Sequence, residues 1–320
     1  MLFNISIILV AFHADRWLPS CLASLAGASE RGMHLVLVDN SGNTILHEQD
    51  LSPFDAEVLT TPRPLGFAEA NNFALVEAGH LEEVVLFLNQ DTISPPGWID
   101  RCLEALAADP SLGAVSPVIR TYDDDGWDPS FMACLSDTQR RRLDEEPDAA
   151  VWEVDVAPAP ALLVRTDVLR EVGPFDPIYG SYYEDYDLCR RIRRAGYRIA
   201  FVPSARVRHF SGSTTDTPEK ERRRMRLLLR NRLIYRLRED RRPRWLELAR
   251  FFGVEVPHRL IRGLLRTPSS QPPGVVLQAA GDVLGIGSRI MFPSRDRCNW
   301  MRYLEDLGWM NVQQERDLHP

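Results

Sequence analysis

Short apolar runs alternate with amphipathic segments through the first 120 residues, and this alternation limits the fold more than any other feature. The β-branched runs are typical of strands, and the segments between them carry apolar residues at helical spacing. The strand-like runs are "ISIILVAF", "HLVLV", "EVLTTP", "EVVLFL" and "LGAVSPVIR". Such alternation predicts an α/β fold in which a mostly parallel, doubly wound sheet is flanked by helices.

Polar residues follow three of these runs. Phe12-His13 ends the first, Asp39-Asn40-Ser41 the second and Asn89-Gln90-Asp91 the fourth. Any one of them is explained by turn formation or helix capping. Three together predict a ligand site, because ligands of parallel sheets bind at the carboxyl ends of the strands. The glycine-rich signatures of P-loop and dinucleotide-binding proteins are missing from the sequence.

The stretch "GSYYEDYDLCRR" crowds Glu184, Asp185 and Asp187 among three tyrosines. Two explanations are open at this stage. Acidic side chains are favoured at a helix N-terminus by the helix dipole. Alternatively, the cluster belongs to an active site in which a carboxylate accepts a proton.

The charge of the chain is unevenly distributed. The 320 residues carry a net charge of −7, which gives no general reason to expect nucleic-acid binding. Residues 219–244 nevertheless contain twelve Lys or Arg against four acidic residues. This basic block is either a contact surface for phosphate or an anionic membrane, or a solvated helix face.

Cysteine usage and the first residues indicate the compartment. The five cysteines are scattered and lack C-x-x-C spacing, which favours a reducing compartment and argues against structural zinc. The opening "MLFNISIILVAF" has no basic flank and is too short to span a bilayer, so it predicts a buried strand. We expect a cytoplasmic protein, located either in solution or at the inner face of the plasma membrane.

Five stretches stand in an order that resembles the family-2 glycosyltransferases, whose nucleotide-sugar-binding fold is called GT-A. They are "SIILVAFH", "LVDNSG", "PLGFAEANN", "LFLNQDT" and "GPFDPIYGSYYEDYDLCRRIRRAGYRI", followed by "VRHFSGST". The resemblance covers residues 3 to 240 and extends to bacterial rhamnosyltransferases of cell-wall and surface-polysaccharide assembly. It implies a GT-A, Rossmann-like catalytic domain over residues 1–218 and a basic, mostly helical region over 219–320.

The resemblance implies a donor-binding set and a metal site. Asn89-Gln90-Asp91 stands where the family has D-x-D, so Asn replaces the first Asp while Asp91 keeps the carboxylate. Asp91 and His209 are then the expected ligands of a divalent cation, Mg²⁺ or Mn²⁺, on the donor diphosphate. The donor-binding residues implied are Phe12, His13, Asp39, Asn40, Gly66, Asn71, Asn89 and Asp91.

The resemblance also assigns the acids. Asp185 becomes the base that deprotonates the acceptor hydroxyl, and a single base with in-line attack predicts inversion. Glu184 is expected to bind the acceptor, and Trp152 and Tyr183 to stack on a sugar, although core packing explains these aromatic residues equally well. Asp187 is expected to be a first-turn helix acid, stabilising by about 0.3–1 kcal/mol.

The expected activity is inverting transfer of a sugar from a nucleoside diphosphate sugar, with dTDP-rhamnose favoured, to a glycan or polyprenyl-linked acceptor. A UDP-sugar-dependent glycosyltransferase, for example a galactofuranosyl or hexosyl transferase, is the alternative. A non-catalytic nucleotide-sugar-binding module predicts loss of Asp91 or Asp185, and both are present. A nucleotidyltransferase needs a glycine-rich basic signature that "AFHADRW" does not supply.

Overall fold

The computed structural model describes residues 3–42, 46, 48–143, 151–211, 217–239, 242–268, 270–291, 302–306 and 308. The strands are β1 (Ile5–Ala11), β2 (His34–Asp39), β3 (Asp55–Thr60), β4 (Val84–Asn89), β5 (Thr92–Ile93), β6 (Leu112–Thr121), β7 (Trp152–Glu153), β8 (Ala161–Arg165) and β9 (Arg198–His209). The helices are α1 (Leu18–Leu25), α2 (Phe67–Glu77), α3 (Trp98–Ala108), α4 (Pro129–Cys134), α5 (Asp137–Arg142), α6 (Thr166–Val172), α7 (Glu184–Arg194), α8 (Pro218–Arg238), α9 (Arg244–Arg250), α10 (Val256–Leu264) and α11 (Pro273–Met291).

The chain divides into two compact units. The first comprises Met1–Gly180 with Asp185–Ser211, and the second comprises Ser181–Glu184 with Gly212–Pro320. The first unit contains the whole sheet, in the order β3-β2-β1-β4-β8-β6-β9-β5, with β7 paired to β9. The pairs β1–β2, β1–β4, β2–β3 and β6–β9 are parallel, whereas β5 and β7 are antiparallel to β9. The predicted mostly parallel sheet flanked by helices is therefore confirmed, and it carries an antiparallel β8 between β4 and β6.

The register of the central strands brings three polar strand ends together. Ala11 of β1 lies opposite Asp39 of β2, and Val10 lies opposite Asn89 of β4. These strands are almost fully buried because they are apolar at successive positions and covered on both faces. The residues that follow the strands therefore share one edge of the sheet, as the sequence predicts.

The core beneath this edge is built from the sheet and two amphipathic helices. Leu18, Leu22 and Leu25 of α1 are buried, and α3 contributes Trp98 and Leu103. Cys21 and Cys102 lie in the same core, where burial raises the pKa of both thiols, that of Cys21 to about 11. Both thiols are therefore protonated at neutral pH. The described cysteines, Cys21, Cys102, Cys134 and Cys189, are all free.

The second unit is helical, as expected for the C-terminal region. Thr217 is the N-cap of α8, and its hydroxyl accepts a hydrogen bond from the Lys220 N–H at 3.3 Å. One side of α8 buries Leu229, Leu233 and Leu237, and the helix packs against α11. No helix in the described part of the chain is both long and apolar enough to cross a membrane.

Candidate active site

Gln90 joins the ends of β1 and β4. Its Oε1 accepts a hydrogen bond from the Phe12 N–H at 2.7 Å, and its Nε2 donates to the Phe12 carbonyl at 2.9 Å. The next residue, His13, is exposed and adopts a left-handed backbone conformation with φ of 47°. The His13 and Phe12 rings are 4.4 Å apart. Phe12 and His13, two of the expected donor-binding residues, therefore lie on a turn that is fixed by the Gln90 side chain.

Asp39 and Asn40 shape the adjacent turn. One oxygen of the Asp39 carboxylate accepts the N–H groups of Ser41 and Gly42, at 3.0 and 2.8 Å. The Asn40 side chain accepts the Leu65 N–H at 2.8 Å and donates to the Leu65 carbonyl at 3.1 Å. The Asn40 amide is thus engaged by the protein itself. Asn40 therefore holds the loop before α2.

Gly66 allows a close approach of another backbone segment, and that segment is residue 180 of the same chain. A Cβ added at Gly66 would lie 3.0 Å from the carbonyl oxygen of Gly180, which also accepts the Ala68 N–H at 2.9 Å. Asn71 is 2% exposed, and its side chain donates to the Phe67 carbonyl one turn earlier in α2. The start of α2 is therefore fixed against residue 180, five positions before Asp185.

Asn89, Asp91 and His209 come together at the end of β4. Thr92 of β5 pairs with His209 of β9, and the Phe210 N–H donates to the Asp91 carbonyl at 3.0 Å, which fixes the two segments side by side. The His209 Nε2 lies 3.4 Å from the Asp91 Oδ1 and 3.4 Å from the Asn89 Nδ2. The sequence-based grouping of these three residues therefore corresponds to one cluster in the structure.

Asp128 belongs to the same cluster and is not identifiable from the sequence as part of it. It is fully buried at the N-cap of α4, where its Oδ1 accepts the N–H groups of Ser130 and Phe131 at 2.7 and 3.1 Å. Its Oδ2 contacts the His209 Nδ1 at 2.9 Å and the Ser211 hydroxyl. Burial alone would raise the pKa of Asp128, but the hydrogen bonds from His209, Ser130 and Ser211 hold it well below its usual range. The Asp-Pro pair that begins α4 signals a helix cap, but nothing in it points to His209 81 residues away.

His209 lies between two carboxylates. Burial alone would lower the pKa of His209, but its hydrogen bonds and charge interactions with Asp128 and Asp91 outweigh that effect and raise the pKa to about 9. A histidine whose Nδ1 donates to a buried carboxylate has its ring orientation and tautomer fixed, as in many histidine metal ligands. The Nε2 atom is thereby directed at Asp91.

Asp91 and His209 can bind a divalent cation here only if the substrate and water supply the remaining ligands. Among the described residues, no group of three or more His, Cys, Asp or Glu side chains is arranged to hold a metal ion. Asp91 offers one carboxylate oxygen, and His209 offers its Nε2 atom once that nitrogen has lost its proton. Hard cations accept such a pair when phosphate oxygens and water complete the coordination.

Asp185 is half-buried at the start of α7. One carboxylate oxygen accepts the Ala159 N–H at 3.3 Å, and the other accepts the Tyr186 N–H at 2.8 Å. Burial raises the pKa of Asp185 to about 6. The carbonyl of Pro160, next to Ala159, accepts the Asn89 N–H at 2.9 Å. The Ala159–Pro160 segment therefore links Asp185 to the strand end that carries the Asn89 cluster.

Asp187 lies in the first turn of α7, as the sequence predicts, but it is buried in an ion-pair network. Its side chain is 1% exposed, contacts the Arg190 guanidinium directly and accepts from the Arg191 Nε at 2.8 Å. The Tyr179 hydroxyl donates to it at 3.2 Å. Arg191 in turn donates to three carbonyls of the turn after α6. Two arginines spaced three and four residues along the helix convert the expected cap into a buried ion-pair network.

Trp152 lies in β7, opposite Phe201 of β9. It is 7% exposed, which fits the core-packing explanation of this residue better than stacking on a sugar. Its indole N–H has no hydrogen-bond acceptor among the residues that the structure describes.

Tyr182 and Tyr183 adopt left-handed backbone conformations, with φ of 70° and 73°. Non-glycine residues in this region cost about 1–3 kcal/mol each and persist only where neighbouring structure holds them. Buried Asn231 of α8 does so, because its amide donates to the carbonyls of Ser181 and Tyr182 at 2.9 and 2.8 Å. The Tyr183 ring lies 5.8 Å from that of Tyr235, and Glu184 is buried. The backbone of this segment is thus fixed by a residue that the sequence pattern does not reveal.

Replacing Asn231 by alanine should lower the free energy of unfolding by about 1–3 kcal/mol, since two carbonyls in a strained segment lose their donor. Urea unfolding measures the change. Arg232→Ala, which alters the exposed next residue of α8, is the control and should stay within about 0.5 kcal/mol of wild type. Equal stability of the two variants would contradict a holding role for Asn231.

A mostly parallel sheet whose polar strand ends meet at one edge, with Asn89 and Asp91 at the end of β4, is the arrangement expected of a glycosyltransferase with the GT-A fold. The profile of the family described as "Glycosyltransferase like family 2" matches residues 4–226. The chain belongs to this family, and the protein is a glycosyltransferase.

Individual relatives support the same assignment. The chain is similar to N-acetylglucosaminyl-diphospho-decaprenol L-rhamnosyltransferase of Mycobacterium tuberculosis, with 28% identity over 239 residues that cover 65% of this chain and 76% of the relative. A mannosyltransferase of Pyrobaculum calidifontis, solved with GDP-Man and Mn²⁺, aligns with a TM-score of 0.53 at 15% identity, covering 99% of this chain and 88% of that one. GalNAc-T7, solved with UDP, GalNAc and Mn²⁺, aligns with a TM-score of 0.54 at 18% identity. That alignment covers 72% of this chain and 47% of GalNAc-T7, so this chain spans about half its length. The two structural likenesses show the fold.

Proposed function

We propose that the protein is an inverting glycosyltransferase that moves a sugar from a nucleoside diphosphate sugar to a glycan or polyprenyl-linked acceptor, in cell-wall or surface-polysaccharide assembly. The observation that carries the proposal is Asp185, a half-buried carboxylate with a raised pKa, linked through Ala159–Pro160 to the Asn89 cluster. One base near a diphosphate site suits a single in-line displacement.

The favoured donor is dTDP-rhamnose, and the support for it is the likeness to a rhamnosyltransferase at 28% identity. The same relative, by its name, acts on a diphospho-decaprenol-linked sugar, which supports a lipid-linked acceptor for this chain. A UDP-sugar donor is the alternative. An acceptor of this kind agrees with a location at the inner face of the plasma membrane.

Asp91 and His209 are the residues that would hold Mg²⁺ or Mn²⁺ on the donor diphosphate. When bound, the cation neutralises the charge that develops on the leaving group. Asp128 keeps the His209 ring oriented, and the Asn89 amide lies beside the same imidazole. Asp185 accepts the proton of the acceptor hydroxyl as it attacks.

Incubation with dTDP-rhamnose, UDP-N-acetylglucosamine, UDP-galactofuranose and GDP-mannose, each with a polyprenyl diphosphate-linked acceptor, tests the donor. We expect turnover with dTDP-rhamnose above the others and a product of inverted anomeric configuration by NMR. A product of retained configuration would contradict the single-base mechanism. Binding of a donor with no transfer to any acceptor would favour the non-catalytic module.

The transfer rate should depend on pH through Asp185. With a pKa of about 6, the carboxylate is ionised and able to accept a proton above pH 6 and protonated below it. The value of kcat/KM should therefore fall about tenfold per pH unit below 6 and level off above it. Initial rates at fixed ionic strength measure the profile, and a flat profile down to pH 5 would exclude Asp185 as the base.

Replacing Asp128 by asparagine should weaken Mn²⁺ binding by about 10–100-fold, because the amide no longer fixes His209 as a ligand. Electron paramagnetic resonance of Mn²⁺ titrated in the presence of dTDP measures the affinity without catalysis. The matched control is Asp100→Asn, a carboxylate that contacts Ser29 and Glu30 instead of His209. Unchanged Mn²⁺ affinity in Asp128→Asn would remove His209 from the ligand set.

A further inference from the structure

The exposed large apolar side chains of this protein are concentrated in one part of the second unit. Within the described residues there are nine, and eight of them lie between positions 245 and 284. They are Trp245, Leu246, Val254, Ile261, Leu264, Leu265, Leu277 and Leu284. Single exposed apolar residues need no explanation, but a contiguous set marks an interaction surface.

Six of these side chains belong to one helical run made of α9, a turn of π-helix (Phe251–Glu255) and α10 with its last turn. Leu246 and Val254 are eight residues apart, and the wider π-helical turn brings them onto the same side of the run. Ile261 and Leu265 continue that side at intervals of seven and four. We call Trp245, Leu246, Val254, Ile261, Leu264 and Leu265 the α9–α10 face. The opposite side contains the buried residues Glu247, Phe251 and Val256.

The charges of the run are sorted between its two sides. Its two acids, Glu247 and Glu255, have side chains only 7% and 15% exposed and pair with Arg236 of α8 at 3.0 and 2.6 Å. Arg250, Arg262 and Arg266 are exposed on or beside the α9–α10 face. The exposed surface of the run is thus apolar and basic, with both acids turned inward.

The basic block of α8 differs from the α9–α10 face in its ion pairs and in its exposed apolar surface. Arg226 pairs with Asp282 and Arg236 with the two inward acids, so part of the block is neutralised within the unit. Arg222 and Arg223 are exposed, but α8 exposes no large apolar side chain in its described residues. The sequence leaves two interpretations of this block, a contact surface for phosphate or an anionic membrane, or a solvated helix face. A membrane contact fits the α9–α10 face better than it fits α8.

We propose that the α9–α10 face docks on the surface of a lipid bilayer that contains anionic lipids. Trp245 and the leucines enter the interfacial region, while the arginines remain at the level of the lipid headgroups. Charge favours this occupant over a second copy of the chain. In a symmetric dimer the face would meet itself, and its three arginines would oppose one another, with the inward Glu255, 3.7 Å from Arg250, as the acid beside them. The proposal is independent of the donor and the metal.

Co-sedimentation of the full chain with vesicles tests the proposal, using phosphatidylcholine alone and phosphatidylcholine with about one third phosphatidylglycerol. We expect binding to the anionic vesicles, weakened by salt because exposed charges are screened. Leu264→Asp/Leu265→Asp should weaken binding at least about tenfold, since both side chains are more than two-thirds exposed in the free protein. Arg250→Gln/Arg262→Gln should weaken it roughly 25-fold, about fivefold per charge.

The matched control is Arg222→Gln/Arg223→Gln on α8, which removes the same charge and should change binding by less than about twofold. Equal losses in the two arginine pairs would overturn the assignment to the α9–α10 face, as would equal binding to neutral vesicles or none to either. Sedimentation velocity tests the other possible occupant, a second copy of the chain. A dimer that Leu264→Asp/Leu265→Asp abolishes would show that the α9–α10 face binds a second copy rather than a membrane. Unchanged transfer to a water-soluble acceptor shows that the variants fold, and it separates failure of this proposal from failure of the proposed function.

Discussion

Replacing Asp185 by asparagine should lower the rate of glycosyl transfer by roughly 10²–10⁴-fold while leaving nucleotide binding intact. The amide keeps the size and shape of the side chain but cannot accept a proton from the acceptor hydroxyl. Single-turnover transfer measures the chemical step, and titration with dTDP measures donor binding. A variant that loses binding as well as transfer would assign Asp185 to the donor site.

The stability of this variant provides a second readout. The folded state raises the pKa of Asp185 to about 6 from an ordinary value near 3.8, so it binds the proton more tightly than the unfolded chain does. Stability contributed by this group is therefore greatest below pH 3.8 and is lost as pH rises through about 6. At pH 8 the ionised carboxylate is the unfavourable form. Asp185→Asn should consequently unfold at the same temperature as wild type or higher at pH 8. A clear loss of stability would instead indicate that Asp185 is a structural ion.

The sheet and the edge where its polar strand ends meet are predictable from the sequence because they rest on local signals. Apolar β-branched runs specify buried strands, and parallel strands bring their polar ends to one edge whatever the loops between them do. Gln90 and Asp39 follow from the same pattern. The fold then places Phe12 and Asn89 on neighbouring strands without further information.

Asp128 and Asn231 are not predictable in this way, because their roles depend on partners distant in the chain. Asp128 has the local signature of a helix cap, and its bond to His209 joins segments 81 residues apart. Asn231 lies in a helix whose composition suggests only basic and apolar sides, yet its amide holds carbonyls about 50 residues away. A single sequence contains no signal for such pairs, since any buried polar side chain must find some partner.

For Asp187, the local signal predicts the correct position in the helix but the wrong contribution to the free energy of unfolding. A carboxylate in the first turn of a helix is worth about 0.3–1 kcal/mol when it is solvated. Burial changes this value, because removing one partner of a buried ion pair leaves the others without compensation. The sequence gives the helix position of Asp187, but only the fold shows that Tyr179 and the turn after α6 enclose it.

Replacing Asp187 by asparagine should therefore lower the free energy of unfolding by about 3–5 kcal/mol, because the Arg190 and Arg191 guanidinium groups would remain buried without their carboxylate. Urea unfolding at pH 7 measures the change, and the slope of the transition should stay the same if the unfolded state is unaltered.

Two controls separate this network from other effects of the Asp187→Asn substitution. Asp167→Asn removes a carboxylate from a surface ion pair with Arg165. The Asp167 side chain is 62% exposed, so this change should lower the free energy of unfolding by no more than about 1 kcal/mol. Asp187→Asn combined with Arg190→Met should cost less than the sum of the two single changes, because the second change removes one of the uncompensated charges. An Asp187→Asn protein within 1 kcal/mol of wild type would return this residue to the role of a helix-terminal acid. If that stable protein also failed to transfer sugar, Asp187 rather than Asp185 would become the candidate base, because the loss could not be attributed to unfolding.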